Sequence, residues 1–373
     1  MAIIFHNIPN DYSPSGNPLS YVFSSDQTGQ ANFSFKVETL LGGALVSEDQ
    51  VFPQSSNRSQ FDISPIVDNI LPKPSITSSL HSALDIIDTI SLRVTEVYGD
   101  PATDQAALAS TETYCFKAEL DPAEWEDKDF NVDYLGVKWM TDTPNNQFRV
   151  IKGQDVICGM LKDIPTGITI TFYDVNGVLL DTYNDSAFYR YWQINASSDN
   201  LQAVYGGLDF NDVSYFEITL TGSETLRFTY VTDYCFDVHA LVWLNKYGTF
   251  DQYPIEHNVT SETDIESRSY KTRYGQWNGT EFVYDHTSSG NKDFEKTMQD
   301  KGMLVTNYMT DTIQNWFVSS YDSVLYYLHN TTGLLFSLNI TNRSYKEKQG
   351  RFDDLIMEEM NYEKTNNRNS IKL

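Results

Sequence analysis

Short segments in which polar and apolar residues alternate recur along most of the chain, and they constrain the fold more than any other feature. The clearest are ANFSFKVETLL (31–41) and TISLRVTEVYG (89–99). Such alternation puts one face of a β-strand on a core and the other face in water. Turn-forming segments such as DYSPSGNP (11–18) separate the strands at intervals of roughly 8–12 residues, as β-sandwiches do. The aromatic content, 14%, also favours strands, so we predict a mainly β protein.

Interruptions of this pattern predict three domains. Residues 1–120 form an N-terminal β-sandwich and residues 126–240 a second one, with the polar stretch DPAEWEDKDFN (121–131) between them. Residues 241–373 form a C-terminal α+β assembly domain, in which a long-stranded antiparallel sheet carries one packed helix. The predicted fold class is therefore two tandem Ig-like β-sandwiches followed by an α+β domain.

One segment of the third domain has a helical period. In TDTIQNWFVSSYDS (310–323), Thr310 or Asp311 can cap the first turn, and four apolar side chains fall on one face. These side chains are Ile313, Trp316, Phe317 and Tyr321.

Two hairpins are predicted from their turn residues. In Asp174–Val178, Asn176 and Gly177 suit the two positive-φ positions of a tight turn, and alternating apolar residues flank them. In the third domain, Trp277-Asn278-Gly279 marks a turn between long alternating strands.

The three cysteines are too few for a disulfide framework, and no pair has the spacing of a metal site. Cys115 and Cys235 occupy equivalent places in an internal repeat, TETYCFKAEL against VTDYCFDVHAL. We interpret these two and Cys158 as buried thiols in a reduced compartment; a redox pair of Cys115 and Cys235 is the alternative.

The N-terminal segment, residues 1–20, has no basic region and only a short apolar run, so we expect no signal peptide. No segment approaches the ~18 apolar residues that a membrane helix needs. We expect synthesis and assembly in the cytoplasm, without contact with a membrane.

The formal net charge is −25, and most of it lies in residues 1–240, which carry 12 Lys and Arg against 33 Asp and Glu. Binding of nucleic acid through its phosphates needs clustered Lys and Arg. The charge therefore argues against a nucleic-acid-binding protein.

The segment ALVWLNKYGTFDQYPIEH (240–257) contains three side chains that could be ligands or catalysts: Asp251, Glu256 and His257. We interpret them instead as residues of a strand that leaves a turn.

Asn245 and Gly248 supply the geometry of that turn. The preceding run Ala240–Leu244 is then either the last strand of the second sandwich or the joint to the third domain.

Other groups with potential chemistry are interpreted as structural. They comprise carboxylate pairs, oxygen-rich loops and an aromatic run: Glu124 and Glu126, Asp353 and Asp354, Asp181–Ser186, Asp209–Asp212, and Phe188–Ile194. The loops lack EF-hand spacing, and the six histidines lack the spacing of a metal site. The aromatic run could stack on sugars if it is exposed. We predict no catalytic, cofactor-binding or metal-binding residues.

The last 135 residues or so, together with the preceding sandwich that ends in Tyr234-Cys235, resemble structural virion proteins of tailed phages that infect Bacteroidetes, including crAss-like phages. The resemblance rests on an Asn-x-x-Gly-x-x-Asp turn after an apolar strand, a short helix with Trp, a Ser-Tyr-x-x-Lys strand end and an Asn-Asn-Arg tail. The matching residues are Trp243, Asn245, Gly248, Asp251, Trp316, Ser319, Ser320, Val324, Ser344, Tyr345, Lys348, Asn366, Asn367 and Arg368. Phe250 departs from the pattern, which often has Trp there, and the N-terminal sandwich is not covered.

The resemblance implies a non-enzymatic tail or neck ring or hub subunit. Such a protein forms a symmetric homo-oligomer, contacts other tail or neck proteins, and meets DNA only as passing cargo. Two alternatives stay open: a tail protein that binds host-surface polysaccharide, and an enzyme that degrades it with two facing carboxylates.

Overall fold

A computed structural model of the chain describes most of its residues. The described residues are 3–54, 57–76, 79–83, 86–162, 167–185, 191–220, 222, 224–232, 238–256, 258–272, 275–284, 290–329, 335–342, 357–365 and 368–369. Several residues considered above lie outside them: Phe188, Tyr189, Cys235, His257, Ser344, Tyr345, Lys348, Asp353, Asp354, Asn366 and Asn367.

The fold is mainly β, as the alternation predicts. The chain divides into two compact units. Unit 1 comprises Met1–Val231 and Trp243–Gln252, and unit 2 comprises Thr232–Val242 and Tyr253–Leu373. The finer division into three domains, with boundaries at 120–126 and at 240, stays a prediction.

Unit 1 contains four sheets and several short helices among its described residues. Its strands are β1 (Ile4–Asn7), β2 (Ser13–Pro14), β3 (Ser20–Ser24), β4 (Ser34–Leu41), β5 (Ala44–Val51), β6 (Arg58–Asp62), β7 (His81–Ala83), β8 (Ile87–Gly99), β9 (Ala102–Ala109), β10 (Thr113–Phe116), β11 (Gln147–Val150), β12 (Ile157–Leu161), β13 (Ile168–Tyr173), β14 (Leu179–Asp185), β15 (Tyr191–Asn195), β16 (Tyr215–Leu220) and β17 (Thr225–Tyr230). Its helices are α1 (Ser64–Ile70), α2 (Pro122–Asp127), α3 (Phe130–Asp133), α4 (Ser198–Val204) and a 3₁₀ turn at Pro144–Asn146.

The sheets of unit 1 have the orders β1-β3-β6, β2-β10-β8-β4-β5 with β9 on β8, β11-β17-β16-β13-β14, and β12-β15-β7. Side chains of the first two sheets share one core; Phe23 of β3 and Phe35 of β4, for example, meet edge to face at 5.0 Å. In the third sheet, Ile168, Ile170 and Phe172 of β13 are buried. The polar stretch 121–131 forms α2 and the start of α3 instead of a strand.

The Asp174–Val178 hairpin is confirmed, but its predicted turn geometry is wrong. Strands β13 and β14 pair antiparallel across it, and only Gly177 has a positive φ, at +76°. The Asp174 carboxylate accepts hydrogen bonds from the backbone N–H groups of Asn176 and Val178, at 2.8 and 2.7 Å. These bonds favour a turn that is one residue longer than the predicted two-residue turn. The register of β13 and β14 shifts next to this turn.

Unit 2 is built around one large sheet. The strands of this part of the chain are β18 (His239–Leu244), β19 (Phe250–Ile255), β20 (Asn258–Thr272), β21 (Gly275–Trp277), β22 (Phe282–Tyr284), β23 (Gly290–Val305), β24 (Tyr326–His329), β25 (Leu335–Ile340), β26 (Glu359–Lys364) and β27 (Arg368–Asn369). By the division given above, the end of β18 from Trp243 and the start of β19 up to Gln252 are counted with unit 1. The order in the large sheet is β19-β18-β24-β25-β26-β23-β20, with β27 on β23, and β21 and β22 form a separate hairpin. The run Ala240–Leu244 thus belongs to this sheet and not to a sheet of the predicted second sandwich.

The predicted helix is confirmed as α5 (Asp311–Val318), followed by a 3₁₀ turn at Ser319–Asp322. The Thr310 hydroxyl accepts a hydrogen bond from the Ile313 N–H at 3.5 Å. Trp316 and Phe317 are buried and meet the ring of Tyr253 edge to face at 6.3 and 5.3 Å. The helix therefore packs through the face that its spacing predicts. Across the described ranges, no helix has both the length and the apolar character to span a bilayer.

Candidate functional site

The turn after β18 is held by one asparagine side chain. The Asn245 N–H donates to the Thr249 carbonyl at 2.8 Å, and the Asn245 side-chain oxygen accepts from the N–H groups of Tyr247 and Thr249 at 3.0 and 3.2 Å. Gly248 has φ +79°, and a Cβ atom there would lie 1.9 Å from the Lys117 carbonyl oxygen. The predicted roles of Asn245 and Gly248 are confirmed, and only glycine fits at 248.

Asp251 is buried, with 1% of its surface exposed, and its carboxylate accepts hydrogen bonds from two side chains. The donors are the Thr141 hydroxyl at 2.7 Å and the Asn245 amide at 3.1 Å. The Asn245 amide and the Thr249 hydroxyl also donate to the Met140 carbonyl, at 2.9 and 2.7 Å. Asp251 therefore ties the turn to residues 140–141 of the same unit.

The other two residues first considered as ligands do not join Asp251 in a described site. Glu256 is half-buried and belongs to unit 2, whereas Asp251 belongs to unit 1, and His257 lies outside the described residues.

Lys246, next to Asn245, is at the centre of a charged cluster that the sequence did not reveal. Its ammonium group lies 2.7 Å from a Glu124 oxygen of α2 and 2.5 Å from an Asp142 oxygen. The Tyr247 hydroxyl donates to the other Asp142 oxygen at 2.7 Å and lies 3.0 Å from the Tyr134 hydroxyl. One positive and two negative charges are thus gathered beside two tyrosines.

The pKa values of Lys246, Tyr247 and Tyr134 argue against general acid or base catalysis by these three residues near neutral pH. Burial alone lowers the pKa of Lys246, but the hydrogen bonds to Asp142 and Glu124 outweigh it, so the pKa is raised overall. Burial, together with the Asp142 charge, raises the pKa of Tyr247 well above its usual value, and burial raises that of Tyr134. Lys246, Tyr247 and Tyr134 therefore keep their protons near pH 7, as expected of residues whose hydrogen bonds stabilise the structure.

The remaining sequence candidates occupy ordinary structural positions where they are described. Tyr191 is 1% exposed and its ring lies 5.7 Å from that of Phe116, so it offers no surface for a sugar. Asp181 accepts a hydrogen bond from the Tyr205 hydroxyl, and Asp209 accepts one from the Asn211 N–H within its own loop. Within the ranges given above, no group of three or more His, Cys, Asp or Glu side chains is placed to hold a metal ion. Cys115 and Cys158 are buried, as predicted.

Strands β20 and β23 of unit 2 form a long hairpin, which we call the arm. The two strands have 15 and 16 residues and pair antiparallel from Asn258 opposite Val305 to Thr272 opposite Gly290. Strand β20 is the last strand of the large sheet, and its side chains from 260 to 271 are exposed.

The short β21–β22 hairpin lies in the chain between the two strands of the arm. Its cross-strand partners Trp277 and Phe282 are 64% and 49% exposed. The predicted turn at Asn278 is present, since its N–H donates to the Glu281 carbonyl at 3.1 Å. The prediction of long strands on either side of it is wrong, because the two strands that it joins have three residues each.

The sequence predicts long strands in the region of the arm, but not an exposed sheet edge. A signal was present: Ser261–Lys271 has almost no apolar residues, so neither face of the strand is suited to a core.

No protein-family model matches the chain, and a search of curated proteins finds no similar sequence.

Proposed function

We propose that this chain is a non-enzymatic structural protein of a phage virion, a tail or neck ring or hub subunit. It assembles into a symmetric homo-oligomer and docks other tail or neck proteins. The observation that carries the proposal is the arm, because a 15-residue strand at the end of a sheet presents a row of backbone groups that another chain can pair with.

The site chemistry supports the same proposal. Asn245, Asp251 and Lys246 make hydrogen bonds or ion pairs within unit 1, and the raised pKa values of Lys246, Tyr247 and Tyr134 keep these three groups protonated at neutral pH. In this proposal the two sheets that share a core in unit 1 belong to the first of two tandem Ig-like sandwiches, and unit 2 is the assembly domain.

The acidic surface also has a place in the proposal. DNA passes the subunit only as cargo, and a negatively charged conduit does not retain the duplex. Subunits are made in the host cytoplasm and reach the virion tail during assembly. A particle image in which the lumen is lined by Lys and Arg would contradict this electrostatic role.

The proposal is tested by locating the chain in purified particles and by measuring the mass of its native assembly. We expect the chain in the tail or neck of the particle and a closed oligomer in solution. A stable monomer that is absent from particles would contradict the proposal.

Binding of host-surface polysaccharide is the second candidate, and one observation favours it. Trp277 and Phe282 stand exposed and paired, as aromatic side chains that stack on sugar rings do. A monomer that binds glycans, and loses this binding in Trp277→Ala but not in the variant of exposed Tyr308, Tyr308→Ala, would favour this candidate. Release of shorter glycans would instead indicate a degrading enzyme.

A further inference from the structure

Strand β20 remains regular over its whole length. The register shift in the arm places Arg268 opposite Glu295 and Ser269 opposite Asp293, so the extra residue lies on β23. A bulge bends and twists the strand that carries it. Since that strand is β23, β20 itself carries no bulge, and no described strand pairs with its outer edge, which can serve as a template for another strand.

The charges along β20 are divided between its two halves. Glu262, Asp264 and Glu266 lie in the first half, and Arg268 and Lys271 lie in the second. In a second copy that pairs antiparallel, this order is reversed. The acidic half of β20 in one copy therefore lies opposite the basic half of β20 in the other. Charges of a single sign along the whole edge would have prevented such pairing.

The charges also select one register. With Ser267 opposite itself, Glu266 of each copy lies opposite Arg268 of the other, and Thr263 lies opposite Lys271. Moving the axis by one residue puts Glu266 opposite Glu266, or Arg268 opposite Arg268, and like charges directly opposite each other are unfavourable.

The ion pairs within the arm leave the charged side chains of β20 exposed enough to contact a second copy. Arg268 lies 3.5 Å from Glu295, yet 78% of its side chain is exposed. Lys301 of β23 contacts Glu262 and Asp264, and these two carboxylates are 69% and 55% exposed. Each can therefore accept a further partner from a second copy.

We propose that β20 pairs antiparallel with β20 of a second copy of this chain about a two-fold axis at Ser267, which joins the two large sheets into one. This inference rests on the homo-oligomeric assembly proposed above and names one of its contacts. The contact is isologous, so it joins subunits in pairs, whereas a ring needs a second, head-to-tail contact.

The test is cross-linking of Ser267→Cys in the full-length chain under mild oxidation. Directly opposite residues of antiparallel strands have Cα atoms about 4.5–5.5 Å apart, within the range of a disulfide. We expect a covalent dimer on a non-reducing gel. Ser269→Cys is the matched control, because Ser269 lies opposite Ile265 in this register. It should form no covalent dimer and run as a monomer on the same denaturing gel, as should the wild-type chain.

A charge variant tests the same register independently. Glu266→Arg places arginines opposite each other on both sides of the axis, and we expect the dissociation constant of the dimer to rise about tenfold. Glu266→Gln, which removes the ion pair without repulsion, should weaken the dimer less.

The outcomes separate this inference from the proposed function. Cross-linking of Ser269→Cys but not Ser267→Cys, or of neither while native mass still shows an oligomer, overturns the β20 contact and leaves the assembly proposal standing. A chain that is monomeric at all concentrations and absent from particles overturns both.

Discussion

At the scale of single residues, Gly248 is a position that tolerates little change. We expect Gly248→Ala to lower the free energy of unfolding by more than ~3 kcal/mol, because its Cβ would lie 1.9 Å from the Lys117 carbonyl oxygen at a φ of +79°. Chemical denaturation measures this loss.

Gly177→Ala is the matched control for that substitution. Gly177 has nearly the same φ, +76°, but the nearest atom to an added Cβ is the Tyr215 hydroxyl at 3.6 Å. We expect a loss of about 1 kcal/mol from backbone strain alone. Equal losses in the two variants would show that the contact with Lys117 is not the cause.

Tyr247 makes stability depend on pH in the alkaline range. Because burial raises its pKa in the folded chain above the usual value of about 10, its contribution is fully present below pH 10 and is lost as pH rises toward the folded-state pKa. We expect the unfolding free energy of the wild type to fall above about pH 10, and that of Tyr247→Phe to fall less steeply. Tyr308→Phe, at an exposed position, should parallel the wild type.

At the scale of elements, helix α5 depends on its first turn. Thr310→Ala removes the side-chain acceptor for the Ile313 N–H, and we expect a loss of about 1 kcal/mol in thermal unfolding. Thr312→Ala changes an exposed threonine inside the same turn and should cost nothing. A similar loss in both variants would mean that capping does not stabilise this helix.

The arm shows how an element departs from the rule that strands alternate. Strand β13 buries every second residue and sits inside a sheet, whereas β20 exposes nearly all of its described side chains and ends a sheet. The difference follows from composition, since serine, threonine and charged residues along Ser261–Lys271 can remain in water on both faces.

At the scale of the whole molecule, the excess of acidic residues controls association. The isoelectric point of the sequence is about 4.4, so net repulsion between copies vanishes as pH falls toward that value. We expect turbidity or light scattering to show a solubility minimum near pH 4.4, and clear solutions at pH 7. A minimum well away from that pH would mean that net charge does not govern solubility.

The sequence by itself determined the mainly β class, the α5 helix with its apolar face, and the hairpins at Gly177 and Asn278. These features depend on residues a few positions apart, whose alternation, caps and turn propensities are visible in one short window. Even there, the Asp174 side chain changed the turn geometry from the predicted one.

Only the tertiary structure decided which unit the turn at Asn245–Asp251 contacts and which strand ends the large sheet. Asn245 and Met140 are 105 residues apart, and Glu124, the partner of Lys246 on α2, is more distant still from that lysine. A hydrogen bond over such a separation leaves no periodic trace in the sequence, because its formation depends on where the chain places both partners. Strand order is likewise a property of the assembled sheet, so the exposed edge of β20 became apparent only there.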